Sequence, residues 1–166
     1  MKPNQQLHWD KEEIANILTH GIGAIASAVG LIFLVYFASV KGGIWEQVSF
    51  SIFGITMLIV FLSSTIYHTI RTPKWKIVFQ TIDQSAIFLL IAGSYVPFCL
   101  ISMRGIWGWS ILSVVWVLAI IGVILKLYYQ NRIVKPFVIL YVAMGWLCVV
   151  AIKEMFEKIP EFSLSF

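Results

Sequence analysis

Five long apolar blocks limit what this chain can fold into. They cover residues 14–40, 48–70, 77–101, 107–125 and 134–152, and few charged residues interrupt them. An α-helix rises about 1.5 Å per residue, so about 20 apolar residues are enough to cross the hydrocarbon core of a bilayer. We therefore predict an all-α fold, a polytopic membrane helix bundle with about five transmembrane helices, numbered here as spans 1 to 5.

The composition favours a single integral membrane domain over residues 1–166. Hydrophobic residues make up 60% of the chain and charged residues 12%, whereas average chains have about 45–50% and about 25%. Residues 1–13 form a polar leading segment. Residues 153–166 form a tail in which Pro160 is expected to stop any helix. The lipid bilayer is therefore the expected environment of nearly the whole chain.

The basic residues lie mostly on one side of the predicted membrane. Eight Lys and Arg residues fall on the side of the N-terminus and four on the other: Lys2, Lys11, Arg71, Lys74, Lys76, Lys126, Arg132 and Lys135 against Lys41, Arg104, Lys153 and Lys158. The side with the excess faces the cytoplasm. We expect a multi-pass protein of the cell membrane with a cytoplasmic N-terminus. No basic stripe with an aromatic platform accompanies the net charge of +4, so nucleic-acid binding is not expected.

Two histidines and one aspartate fall inside the apolar blocks. His20 lies near the start of span 1, His68 near the end of span 2 and Asp83 near the start of span 3. In the predicted topology, all three lie at the cytoplasmic end of their spans. Ionisable groups within a membrane are costly and are therefore functional-site candidates by default.

Polar neighbours extend these positions along the helices. Glu13, Asn16 and His20 are three and four residues apart and share one helical face, and Ser64 lies one turn before His68. Three interpretations of His68 stay open: a metal ligand with Asp83 as its indirect partner, a structural hydrogen-bonded pair with Asp83, or a hydrated side chain at the interface. Glu13, Asn16 and His20 are either a polar helix start that hydrogen-bonds the bundle or part of a metal site.

Three motifs lie on the first three spans. They are E-x2-N-x2-T-H-x2-G from Glu13 to Gly23, S-x3-H from Ser64 to His68 followed by Asp83, and A-G-S-Y-x-P-F from Ala92 to Phe98. Together these motifs resemble the hemolysin III-like membrane proteins, the bacterial relatives of the progestin and adipoQ receptor family. The resemblance covers about residues 10–147. That family has seven helices and a cytoplasmic N-terminus, so this chain is expected to lack the last two helices.

The resemblance implies a zinc ion within the bundle. His68 would be a ligand, Asp83 would contact a zinc-bound water, and Ser64 belongs to the same motif. The remaining ligands of the family form an H-x3-H pair on the seventh helix, and no histidine follows His68 in this chain. A catalytic zinc site usually has three protein ligands and a water. We therefore expect an incomplete ligand set, and favour a truncated chain over helices supplied by another polypeptide or a decayed site.

The resemblance also implies the function. The first hypothesis is a hemolysin III-type integral membrane protein with cytolytic or membrane-perturbing activity. The alternative is a zinc-dependent, ceramidase-like lipid amide hydrolase, in which Asp83 would place or deprotonate the zinc-activated water. A receptor or sensor of the membrane is a third hypothesis. The incomplete ligand set argues against the hydrolase. A lipid substrate is expected only if the protein is that hydrolase. The oligomeric state stays open.

Overall fold

A computed structural model describes residues 11–130 and 134–163, with side chains described as far as residue 149. Within these ranges the chain forms five helices in sequence: α1 (Lys11–Lys41), α2 (Ile44–Thr69), α3 (Pro73–Pro97, continued by a π-helical turn at Phe98–Ser102), α4 (Ile106–Tyr129) and α5 (Lys135–Ser163). No strand occurs among the described residues, and the predicted all-α fold class is confirmed.

Four of these helices are long and apolar enough to cross a membrane. They are α1, α2, α3 together with its π turn, and α4. The described apolar part of α5, Lys135–Val149, is shorter. The helix itself continues to Ser163 and passes Pro160, which we expected to stop it. A proline removes one backbone donor and crowds the preceding turn, and here only three residues of helix follow it.

Tight turns make the first three helices neighbours. A Cβ at Gly42 would lie 2.9 Å from the Ala38 carbonyl oxygen and 2.8 Å from Glu46 Cβ, so this turn needs a glycine. The Glu46 carboxylate accepts a hydrogen bond from the Gly43 N–H at 2.8 Å and caps α2. Pro73 begins α3 at a position where a missing N–H costs nothing. The start of α1, the end of α2 and the start of α3 therefore lie at one end of the bundle, called the charged end below.

The core of the bundle forms around α3. Half of its spanning segment is buried, against 17% of that of α1. Its inner face contributes the fully buried side chains of Phe88, Ala92 and Val96. Two tyrosines join it to α5, because the Tyr95 hydroxyl donates to the Met144 carbonyl at 2.7 Å and the Tyr141 hydroxyl to the Gln84 carbonyl at 2.6 Å.

Aromatic side chains mark the opposite end of the bundle. Trp45 on α2 meets Trp109 on α4 edge to face, with ring centroids 6.0 Å apart. The guanidinium carbon of Arg104 lies 4.5 Å from the centroid of the Trp45 ring. Tryptophan is enriched where membrane helices meet the headgroups, so this cluster is consistent with a membrane interface at this end.

Candidate functional site

Polar side chains from three helices meet at the charged end. α1 contributes Glu13 and His20, α2 contributes His68, and α3 contributes Lys76 and Asp83. Helical spacing places Glu13 and His20 on the face of α1 that is turned toward α2. The sequence motifs on separate helices thus converge in one place.

Glu13 is bonded to both neighbouring helices. Its Oε2 lies 2.5 Å from His68 Nδ1, and its Oε1 accepts a hydrogen bond from Lys76 Nζ at 2.8 Å. The Lys76 ammonium also lies 4.5 Å from the centroid of the Tyr67 ring. The Glu13 side chain is 25% exposed, so the bonds are partly shielded from water and stronger than those of an open surface pair.

This bond fixes the orientation of His68. A carboxylate only accepts hydrogen bonds, so the His68 Nδ1–H is the donor. In a neutral imidazole the other nitrogen, Nε2, then carries the lone pair that can accept a proton or bind a metal. The Nδ1 partner of His68 is Glu13 rather than Asp83, which differs from the structural pair with Asp83 considered above.

His20 stacks on His68. The two ring centroids are 5.7 Å apart and the rings are inclined by only 4°. The centroid of the Phe61 ring also lies 6.0 Å from that of His20. His20 Nδ1 is buried and has no hydrogen-bond partner. A buried polar atom without a partner is costly, and it leaves a position that a proton donor, a water or a cation would satisfy.

Asp83 lies beside the serines of α2. Its carboxylate lies near the Ser64 and Ser63 hydroxyls and within electrostatic range of His68 and His20. Both serines are buried, and the Ser63 hydroxyl also donates to the Val60 carbonyl at 3.0 Å. The cluster therefore places a carboxylate and two imidazoles close together below the surface of the bundle.

Asn16 is the remaining residue of the predicted set. It is half-buried on α1, one turn before His20. Its backbone carbonyl accepts a hydrogen bond from the Thr19 hydroxyl at 3.2 Å. The structure thus places Asn16 on the same helix face as Glu13 and His20.

Two lysines that lie just outside the apolar blocks of the sequence, Lys76 and Lys126, belong to helices in the structure. Lys76 belongs to the first turn of α3, which begins at Pro73 rather than at residue 77, and this position turns its ammonium toward Glu13. Lys126 lies within α4, is 2% exposed, and has its Nζ 4.8 Å from the centroid of the Phe137 ring. Proline is favoured at the first helical position, so Pro73 was a sequence signal that α3 begins before residue 77 and includes Lys76.

The described residues do not complete a zinc site. Within residues 11–130 and 134–149, no group of three or more His, Cys, Asp or Glu side chains is arranged to hold a metal ion. The unpartnered His20 Nδ1 would suit a cation, and the bond between His68 Nδ1 and Glu13 leaves His68 Nε2 as the nitrogen that could bind one. Zinc binding through His68 and Asp83 stays a prediction.

Comparison with known proteins identifies the family. The family model described as Haemolysin-III related matches residues 8–165, which extends past residue 147, where the resemblance drawn from the sequence ends. Hemolysin-3 from Bacillus cereus is 45% identical, over 99% of this chain and 75% of that protein. A Hemolysin-3 homolog from Bacillus subtilis (strain 168) is 44% identical, over 94% of this chain and 74% of its own length.

A more distant relative comes from animals. Monocyte to macrophage differentiation factor from Homo sapiens is 24% identical, over 87% of this chain and 61% of that protein. No solved structure matches the chain. The resemblance drawn from the motifs is confirmed, and the chain belongs to the Haemolysin-III related family.

Proposed function

We propose that this protein is a hemolysin III-type membrane protein that perturbs the bilayer in which it lies. The observation that carries the proposal is the 45% identity, over nearly the whole chain, to a protein named Hemolysin-3. The four apolar helices of spanning length are consistent with action from within the membrane rather than from its surface.

The polar cluster at the charged end supplies a physical mechanism. His68 and Lys76 are 15% and 16% exposed, and Glu13 is 25% exposed, so water and headgroups can reach all three. Charged groups on apolar helices are accommodated in lipid by local thinning and water defects. A cluster drawn from three helices would concentrate such a defect at one end of the bundle and lower the barrier to leakage.

A vesicle-leakage experiment tests this proposal. The purified full-length chain is reconstituted into vesicles loaded with a self-quenching dye, and release is measured against the protein-to-lipid ratio. We expect release that rises with this ratio and falls in Lys76→Met, which breaks the bond to Glu13. Lys74→Met removes the same charge from an exposed neighbour and should leave release unchanged. Vesicles that stay sealed at every ratio would contradict the proposal.

A zinc-dependent lipid amide hydrolase is the second candidate. It is favoured by the buried, unpartnered His20 Nδ1 beside His68 and Asp83. A further ligand would have to come from outside the described residues, so we derive no catalytic step. Two measurements test this candidate. The first is the zinc content of the wild type and of His68→Ala. The second is hydrolysis of a ceramide-like amide by the wild type and by Asp83→Ala. A chain without zinc and without hydrolysis excludes it.

We also propose that the charged end faces the cytoplasm in the cell membrane. This end carries the turn between α2 and α3, and the basic residues Arg71, Lys74 and Lys76 lie in or beside that turn. Short loops rich in Lys and Arg stay on the cytoplasmic side during insertion. The proposed orientation therefore makes the Glu13 cluster accessible from the cell interior.

A further inference from the structure

A cavity opens on the side of the bundle, near the end of α3 that is remote from the charged end. Its volume is about 430 Å³, and its walls come from α3 with its π turn, α4 and α5. Its lining is mostly apolar and includes Ile91, Phe98 and Ile111, of which Phe98 is 54% exposed. Because α3 and α4 are long and apolar enough to span a membrane, this larger cavity opens onto the hydrocarbon of the bilayer rather than onto water.

A smaller cavity adjoins the larger one. Its volume is about 220 Å³, and it lies between α4 and α5. Trp107, Val114 and Leu147 are among its lining residues. Ile111 lines both cavities, so the two are neighbours on one side of the bundle and share this side chain as a wall. They are called the paired cavities below.

The shape of the paired cavities suits two slender chains better than one helix. An α-helix with its side chains is about 10–12 Å across, so a helix docked on this side would rest on Ile111 and enter neither cavity. Acyl chains are narrow and flexible enough to enter both. A gap that stays empty forfeits the dispersion contacts of the atoms that line it. Filling by acyl chains is therefore favourable, although lipid and protein are equally apolar here.

A cation lies at the end of the bundle next to the larger cavity. Arg104 directly follows Met103, which lines that cavity, and it is exposed. Its guanidinium lies against the Trp45 ring, and no carboxylate of the described residues forms an ion pair with it. Glu46, at the same end, accepts its hydrogen bond from the Gly43 N–H instead. The charge of Arg104 is therefore available to an anionic headgroup at the membrane interface, which the tryptophans of this end mark.

We propose that the paired cavities and Arg104 form a binding site for one phospholipid with two acyl chains and an anionic headgroup. One acyl chain occupies the larger cavity, the other occupies the smaller cavity, and the headgroup lies beside the Arg104 guanidinium. A guanidinium matches a phosphate through parallel N–H donors. This site is separate from the polar cluster at the charged end and does not depend on the proposed membrane-perturbing activity.

Native mass spectrometry of the full-length protein in detergent tests the headgroup contact. The delipidated protein is titrated with dioleoyl phosphatidylglycerol or dioleoyl phosphatidylcholine, which have the same acyl chains but a net charge on the first alone. We expect one bound lipid per chain and about fivefold tighter binding of phosphatidylglycerol, the effect of one basic residue near a lipid surface. Arg104→Gln should abolish this preference. Lys41→Gln, at an exposed position of the same end on α1, should retain it.

Gly145→Leu tests the contact with the acyl chains. Gly145 lines the larger cavity, and no atom lies within 4 Å of a Cβ built at this position. The new side chain therefore occupies the cavity without displacing protein atoms, and we expect the loss of bound lipid of both headgroup types. Gly30→Leu makes the same change at a glycine of α1 with equally open surroundings and should leave lipid binding unchanged.

Melting temperatures in detergent show whether both glycine variants are folded, and the Arg104→Gln comparison decides if Gly145→Leu is not. Equal affinity of the wild type for the two lipids would overturn the proposal, as would several bound lipids without preference. Full lipid binding by folded Gly145→Leu would also overturn it. So would a dimer of the chain that forms in place of the lipid complex and is lost in Gly145→Leu, because a second copy would then be the occupant of this side.

Discussion

The carboxylate of Glu13 on α1 lies 2.5 Å from the imidazole of His68 on α2, across 55 residues of sequence. The second oxygen of the same carboxylate accepts a hydrogen bond from Lys76 on α3. One side chain therefore holds three helices at the charged end and fixes which nitrogen of His68 faces away from it. The stability of the bundle and the geometry of the candidate site depend on the same bond.

Glu13→Gln should lower the stability of the bundle by about 1 kcal/mol. The substitution keeps the size of the side chain but removes the charge that both His68 and Lys76 bind, and hydrogen bonds to charged groups contribute about 1.5–3 kcal/mol before discounting for exposure. Glu12→Gln, at the exposed neighbouring position, should change stability little. Thermal melting in detergent measures the stability of both variants. Equal melting temperatures for Glu13→Gln and Glu12→Gln would show that the bonds of Glu13 to His68 and Lys76 do not stabilise the bundle.

Gly23→Ala should destabilise the contact between α1 and α2. A Cβ at Gly23 would lie 3.0 Å from Cγ of the Phe61 ring and closer still to other ring atoms. Such overpacking costs about 1–3 kcal/mol, which exceeds the gain of up to about 1 kcal/mol from replacing a helical glycine. Because Phe61 also contacts His20, the substitution should disturb the histidine stack.

Gly30→Ala is the matched control on the same helix. No atom lies within 4 Å of a Cβ built at Gly30, so only the gain in helix propensity remains, and this variant should be neutral or slightly more stable. Melting temperatures of the two variants are compared under one condition. A Gly23→Ala protein as stable as Gly30→Ala would contradict the packing described for α1.

Tyr95→Phe and Tyr141→Phe should each destabilise the protein by about 1 kcal/mol. Each variant removes one hydroxyl that joins α3 to α5, and the acceptors are the carbonyls of Met144 and Gln84. Tyr36→Phe, on the exposed side of α1, is the control and should have little effect. Limited proteolysis adds a local measurement, because loss of either hydroxyl should make α5 easier to cleave. Protection equal to that of the wild type would argue against the anchoring role.

Cysteine labelling should place the charged end in the cytoplasm. In a background of Cys99→Ser and Cys148→Ser, Thr72→Cys adds a thiol at the turn between α2 and α3, and Lys41→Cys adds one at the opposite end; both positions are exposed. A membrane-impermeant maleimide applied to intact cells should label Lys41→Cys alone. Labelling of Thr72→Cys alone would show that the charged end faces the outside of the cell, opposite to the proposed orientation.

Hydropathy predicted the helices but not their full extents. α2 begins at Ile44 and α3 at Pro73, each four residues before the apolar block that predicted it. Polar first turns are helical without being apolar, so a hydropathy pattern marks the membrane-embedded part of a helix rather than the whole helix. Lys76 lies one residue before the third apolar block, so hydropathy did not assign it to the helix and its bond to Glu13 was missed.

For the candidate site, the sequence predicted which side chains share a helix face but not which side chains bond to each other. Period-four spacing placed Glu13 and His20 on one side of α1, and the structure turns this side toward α2. The choice of Glu13 rather than Asp83 as the partner of His68 Nδ1 depends on how the helices are rotated and shifted against each other. That rotation is set by packing contacts such as Gly23 against Phe61, which involve residues 38 positions apart and leave no local pattern.

The order in which the ribosome delivers these helices gives the Glu13 bond a role during biosynthesis. Glu13 and both of its partners, His68 and Lys76, are present before α4 has been synthesised, so α1, α2 and α3 can associate in the membrane before α4 exists. The hydroxyl of Tyr95 finds no acceptor until Met144 and Gly145 have followed. The bundle can therefore be assembled in two stages, a three-helix unit closed at one end by a carboxylate and a later docking of α5 onto a tyrosine that is already in place.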